Sequence, residues 1–166
     1  YQPTGSVKLG IALVKYKNAD RPAFDLCFIS HYRPELFSDD APLLFQKIEQ
    51  SQRILFKNLV AYALTNKLSL SVICKTREFP LHDMERDYFT SIAESSSFEF
   101  CRSDKDEHEF DSYFDSLSSN LVIHPASTLG FELFAAGKKV LFGASADPTL
   151  IRYWGIGHYF DALPEM

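Results

Sequence analysis

The stretch Leu121-Val-Ile-His-Pro-Ala-Ser-Thr-Leu-Gly-Phe-Glu-Leu-Phe-Ala-Ala-Gly-Lys-Lys-Val-Leu-Phe142 decides the fold. Leu121–Ile123 is a short β-branched, apolar run, the mark of a buried strand. His124 and Pro125 end it, and Ser127 or Thr128 can cap a helix that runs to Ala136. Gly137 stops that helix, and residues 139–142 begin a further strand. Strand, turn, helix and strand within 22 residues form one βαβ unit, which places its two strands parallel.

The same alternation continues towards the N-terminus. Leu26-Cys-Phe-Ile-Ser30 forms a strand between Pro22 and Pro34, and Leu44, Ile48, Leu55, Leu59 and Ala63 recur at helical spacing over 42–66. Leu68–Cys74 is the second strand and 82–93 a shorter helix. Phe98–Cys101 is the third strand, and the acidic run 104–109 opens a helix over 110–117. Lys8–Val14, within a polar lead-in, is expected to be an edge strand. Five parallel strands alternating with helices predict an α/β fold: a three-layer, Rossmann-like sheet flanked by helices.

Composition sets the outer bounds. The chain has 166 residues, 46% of them hydrophobic and 23% charged, which suits one folded domain and excludes a disordered or low-complexity chain. Against 22 acidic residues stand 17 Lys and Arg, a net charge of −5, so no general field draws it to nucleic acid. No apolar window reaches the length of a membrane span. Cys27, Cys74 and Cys101 show no CxxC spacing, which fits a reducing, cytoplasmic setting. The chain opens on Tyr1, and the expectation is a single domain over 1–166 cut from a longer protein.

In an open parallel sheet ligands bind beyond the carboxyl ends of the strands. Four polar loops lie there. Ser127 and Thr128, with the N–H groups of a helix start, can hold a phosphate without a lysine. Gly130 is expected to admit a ligand closely, and Glu132, one turn on, to accept from ribose hydroxyls. The same residues also make an ordinary N-cap, packing glycine and solvated glutamate. Ser30 and Arg33 follow the first strand and Lys75 and Arg77 the second; these suit a diphosphate or serve as paired surface charges. His31 and His124, at strand ends, are the two histidines placed for substrate hydrogen bonding or proton transfer. No HExxH or Cys/His spacing points to a metal. A GxSxG elbow and a Walker lysine are also missing. Gly155-Ile-Gly157 lacks a strand-then-helix setting, and Tyr153, Trp154, Tyr159 and Phe160 can stack on a base or fill a core.

The 121–142 stretch, with its Gly-x-Glu-x-x-x-x-Gly-Lys helix after a small hydroxylated turn, resembles the donor-binding region of GT-B glycosyltransferases of bacterial surface and capsular polysaccharide biosynthesis. The order of elements from Leu26 to Leu117 is similar to the C-terminal half of such enzymes. The resemblance implies a nucleotide-sugar donor with Ser127 and Thr128 at its diphosphate and Glu132 at its ribose. It places Lys75 or Arg77 at phosphate or sugar and Arg33 near the interdomain cleft. Nucleotide-sugar 2-epimerases share this architecture, and a noncatalytic Rossmann-like binding module is the further alternative. Relatives using CMP-linked acidic sugars carry His-Pro after the second strand, where this chain has Cys74-Lys-Thr-Arg77, so a UDP- or GDP-sugar is expected. The partners implied are that donor, a glycan or lipid-linked glycan acceptor, and an N-terminal domain that supplies the catalytic base. No cofactor or metal is implied, and the isolated domain is expected to be inactive. The intact enzyme is expected to be cytoplasmic or peripheral to the inner membrane.

Overall fold

The computed structural model describes residues 6–16, 24–33, 42–74, 80–93, 98–101, 110–125 and 127–143. In chain order they form α1 (Val7–Tyr16), β1 (Leu26–Ile29), α2 (Leu43–Asn66), β2 (Leu70–Ile73), α3 (Leu81–Ala93) and β3 (Glu99–Cys101). Then follow α4 (Asp111–Ser118), β4 (Leu121–His124), α5 (Thr128–Ala135) and β5 (Val140–Phe142). The strands make one sheet in the order β3-β2-β1-β4-β5, and every pairing is parallel. The α/β, Rossmann-like three-layer fold expected from the sequence is the fold observed.

β1 and β2 are buried along their whole length because helices cover both faces of the sheet. On one face Leu26 and Phe28 of β1, Leu70 and Val72 of β2 and Ile123 of β4 meet α2 and α3. There Phe28, Phe56 and Phe89 pack as a trio with ring centroids 4.7–5.8 Å apart. On the other, Cys27, Ile29, Ile73 and Val122 meet Leu133 of α5, with Leu117 of α4 beside them. Alternate residues of each strand thus serve opposite cores, as the two-residue period of a strand requires.

Helix ends follow local chemistry. Gly137, at φ +82°, takes the left-handed conformation that ends α5, and the Lys138 N–H returns to the Leu133 carbonyl at 3.0 Å. Lys67 does the same for α2 at φ 55°, with the Leu68 N–H donating to the Ala63 carbonyl at 2.9 Å. At the amino edge the Asp25 carboxylate accepts from the Ser69 N–H (2.9 Å), the Ser69 hydroxyl (2.8 Å) and Asn120 (3.3 Å), tying together the starts of three strands. These bonds, the Ser69 N–H first, hold Asp25 below its ordinary carboxylate value.

One element differs from the expectation. Lys8–Val14 lies within a helix, α1, and not in an edge strand. Leu9, Ile11 and Leu13 alternate as in a strand, but Leu9, Ala12 and Leu13 also share one helical face. That face packs on Phe110 and Tyr113 beside α4, and the packing selects the helix.

Candidate functional site

The strand order places the topological switch point between β1 and β4: β1 runs on towards α2 over one face, β4 towards α5 over the other. A crevice opens where such connections diverge. Phe28 pairs with Ile123, so Ser30, His31 and Arg33 after β1 stand beside His124 and Pro125 after β4. The structure therefore brings Ser30, Arg33, His124, Ser127 and Thr128 to one edge of two neighbouring strands. Lys75 and Arg77 lie outside the described residues, as do the aromatic residues 153–160 and the Gly155–Gly157 pair.

Each of these side chains is set by local geometry. Ser30 is buried, and its Oγ accepts the Tyr32 N–H at 2.9 Å, closing a tight hydroxyl-backbone turn. Arg33, three residues on, is exposed. The His31 N–H donates to Oε1 of Gln52 at 2.6 Å, and both residues are buried. Gln52 sits on the apolar stripe of α2, between Ile48 and Phe56, where a polar residue must have a reason to be. It anchors the β1 loop to the helix. Gln52→Leu leaves that buried N–H without its acceptor, and we expect a loss of about 2 kcal/mol in urea unfolding.

His124 is the centre of the β4–α5 turn. It is fully buried, and its Nδ1 accepts the Ser127 N–H at 2.8 Å. That bond requires an unprotonated Nδ1. Burial, then the nearby His31, pulls the imidazole down to about 4, so it is neutral at pH 7 and its proton rests on Nε2. Nε2 has no hydrogen-bond partner among the described residues. The ring packs edge-on against Phe131 and Phe142, with centroids 5.5 and 4.6 Å away. A Cβ on Gly130 would fall 2.1 Å from both Cδ2 and Nε2 of the ring. The room left by Gly130 is thus taken by His124, where the sequence reading reserved it for a ligand.

Ser127 stands at the N-cap of α5 with extended backbone, but its side chain makes no capping bond. The first bond of the helix ladder is from Phe131 N–H to the Ser127 carbonyl, at 3.3 Å. The N–H groups of Thr128, Leu129 and Gly130 therefore stand outside the ladder, at the positive end of the helix. Thr128 is exposed and Glu132 half-buried one turn below it on the same helix face. Glu132 accepts a hydrogen bond from the Tyr113 hydroxyl of α4, at 2.5 Å.

Two further buried polar residues escaped the sequence reading. Glu85, fully buried on α3, acts electrostatically on Tyr32 and Cys74, and burial above all pushes both of these groups upward. Its signal was its place on an apolar stripe with Tyr88, Phe89 and Ile92. Tyr113 carried no such signal, being one of two adjacent aromatics on α4. A hollow of about 420 Å³ lined by Phe24, Val60, Leu68 and Phe98 lies at the opposite, amino edge of the sheet and shares no residue with the switch point. Among the described residues no His, Cys, Asp and Glu cluster could hold a metal ion, and no helix is long and apolar enough to cross a membrane.

A family model described as "putative O-antigen biosynthesis protein" matches residues 1–146. Neither the curated proteins nor the solved structures gave a match. The matched span runs from α1 through β5 and includes the whole switch point. That match covers most of the chain and the whole of its parallel sheet, and the chain belongs to this family of putative O-antigen biosynthesis proteins, with a role in polysaccharide biosynthesis.

Proposed function

We propose that this chain is the donor-binding part of a GT-B-type glycosyltransferase, which moves a sugar from a UDP- or GDP-linked donor to a glycan or lipid-linked glycan acceptor. One observation carries the reading: in a chain of an O-antigen biosynthesis family, the N-terminus of α5 and the β1 loop meet at the switch point of a doubly wound sheet. Breaking the anomeric bond releases a nucleoside diphosphate, whose developing charge must be stabilised. The N–H groups opening α5 and the Ser127 and Thr128 hydroxyls supply preorganised donors for it, and Arg33 adds a cation at the same edge. Lys75 and Arg77, from the loop after β2, are the proposed further phosphate or sugar contacts. Glu132 receives the ribose hydroxyls. His124, held inside the turn, shapes the donor array without touching the nucleotide. The acceptor's base comes from a second domain, so the isolated chain binds donor without transferring it.

Ligand binding to the native state must raise its apparent stability. Calorimetric and thermal-shift titrations against UDP, GDP, CMP and their sugar conjugates test the proposal. We expect one diphosphonucleotide to be preferred, with Glu132→Ala weakening it about tenfold, the worth of one charge-assisted hydrogen bond. Failure of every nucleotide to bind, to this chain and to the full-length protein alike, would reject the reading.

A further inference from the structure

Thr128 and Glu132 lie four residues apart on α5, one turn and about 6 Å along its axis. That spacing matches the reach from a diphosphate on the helix N-terminus to the sugar of the same nucleotide. A glutamate at this point of an exposed helix would ordinarily sample several rotamers, and ordering it on binding would cost free energy. Here it is already ordered. The Tyr113 hydroxyl donates to its Oε2, while Oε1 has no partner among the described residues. Tyr113 is itself buried, its ring packed beside Phe110 with Leu9 and Ala12 of α1. Ser6, whose Oγ accepts the Leu9 N–H at 3.2 Å and so caps α1, adds a polar contact to the same hydroxyl. α1 thus packs against the α4 residue that holds the α5 carboxylate.

We infer that Tyr113 is a positioning residue for the nucleotide's ribose, holding Glu132 by one oxygen so that the other faces the sugar as a fixed acceptor. The inference rests on the donor-binding reading above. Burial and the Glu132 carboxylate push the Tyr113 hydroxyl up to about 12, so it stays protonated and donates throughout the working pH range. A purely structural Tyr113–Glu132 bond would affect stability and treat all nucleotides alike. A positioning bond must affect the discrimination between ribose and 2′-deoxyribose.

The test is calorimetric titration of the full-length protein with UDP and GDP and with their 2′-deoxy counterparts. It compares the wild type with Tyr113→Phe, Glu132→Ala and the double variant, thermal unfolding serving as the check on folding. Phe keeps the ring and its packing and removes only the hydroxyl. We expect Tyr113→Phe to weaken the ribonucleotide about fivefold, the worth of roughly one hydrogen bond, with the deoxynucleotide unchanged. It should add nothing once Glu132 is Ala. If Glu132→Ala abolishes the ribose preference but Tyr113→Phe leaves the ratio intact, or raises ribonucleotide affinity, the positioning role is overturned and donor binding stands. Additive effects in the double variant overturn it as well. If the wild type binds nucleotides without preference for ribose, the inference and the Glu132 assignment fall together; if it binds none, the donor-binding reading falls with them.

Discussion

Gly130→Ala should destabilise the protein by about 3 kcal/mol, at the upper end of the usual cost of overpacking a core. The added methyl would stand 2.1 Å from two atoms of the His124 ring, and that ring is fully buried between Phe131 and Phe142. It has nowhere to retreat without giving up the Ser127 N–H. The sign of the effect makes the prediction sharp, because in an unobstructed helix Gly→Ala is stabilising by up to about 1 kcal/mol. In a His124→Ala background the obstruction is gone, and the same substitution should become neutral or mildly stabilising. Urea unfolding of the four proteins in this cycle measures the coupling directly. An equal cost of Gly130→Ala in both backgrounds would show that the imidazole is not what the glycine admits.

Acid should unfold the protein through His124 before it acts on the Asp25 staple. The folded imidazole titrates near 4, below the ordinary value of 6.5, because protonation must occur inside the core and beside His31. The unfolded chain therefore binds more protons between those two values, and stability falls as pH is lowered through that window. The contribution is fully present above pH 6.5 and largely lost by pH 4. A shift of this size corresponds to about 3 kcal/mol. Protonation also removes the Nδ1 acceptor, so the β4–α5 turn should loosen first. Asp25 behaves in a separate window, since its lowered value keeps it ionised until below its ordinary 3.8. Urea midpoints at pH 7, 6, 5 and 4 should decline, and His124→Asn, which keeps an acceptor near Nδ1 but does not titrate, should flatten the decline. An unchanged slope in that variant would assign the acid lability elsewhere.

Much of this architecture is legible in the chain itself. The runs at β1, β2 and β4 are short and apolar on both faces, and only a sheet covered by helices on both sides buries such segments. Gly137 announces its helix end because a left-handed residue there is costly for anything with a side chain. The polar loops beyond the carboxyl ends of the strands were legible too, since parallel connections leave their polar groups there. α1 was not legible, since its apolar residues satisfy both the two-residue and the helical period. Nor was Tyr113, whose hydroxyl meets Glu132 across a separation of 19 residues that no local pattern encodes.

By itself the sequence determined the order and type of the β1–β5 elements, the parallel sheet, and the turn from His124 to Ser127 that joins β4 to α5. These follow from periodicity, caps and turn residues, which act over a few neighbouring positions. Only the tertiary structure decided which strands adjoin, and so that Ser30 and His124 share a switch point. It also turned His124 inward onto Gly130, tied Gln52 to the β1 loop and set Tyr113 against Glu132. Such assignments depend on which helix lies against which, and on the cost of leaving a buried donor or acceptor unpaired. That cost is a property of the packed chain, and no short window of sequence contains it.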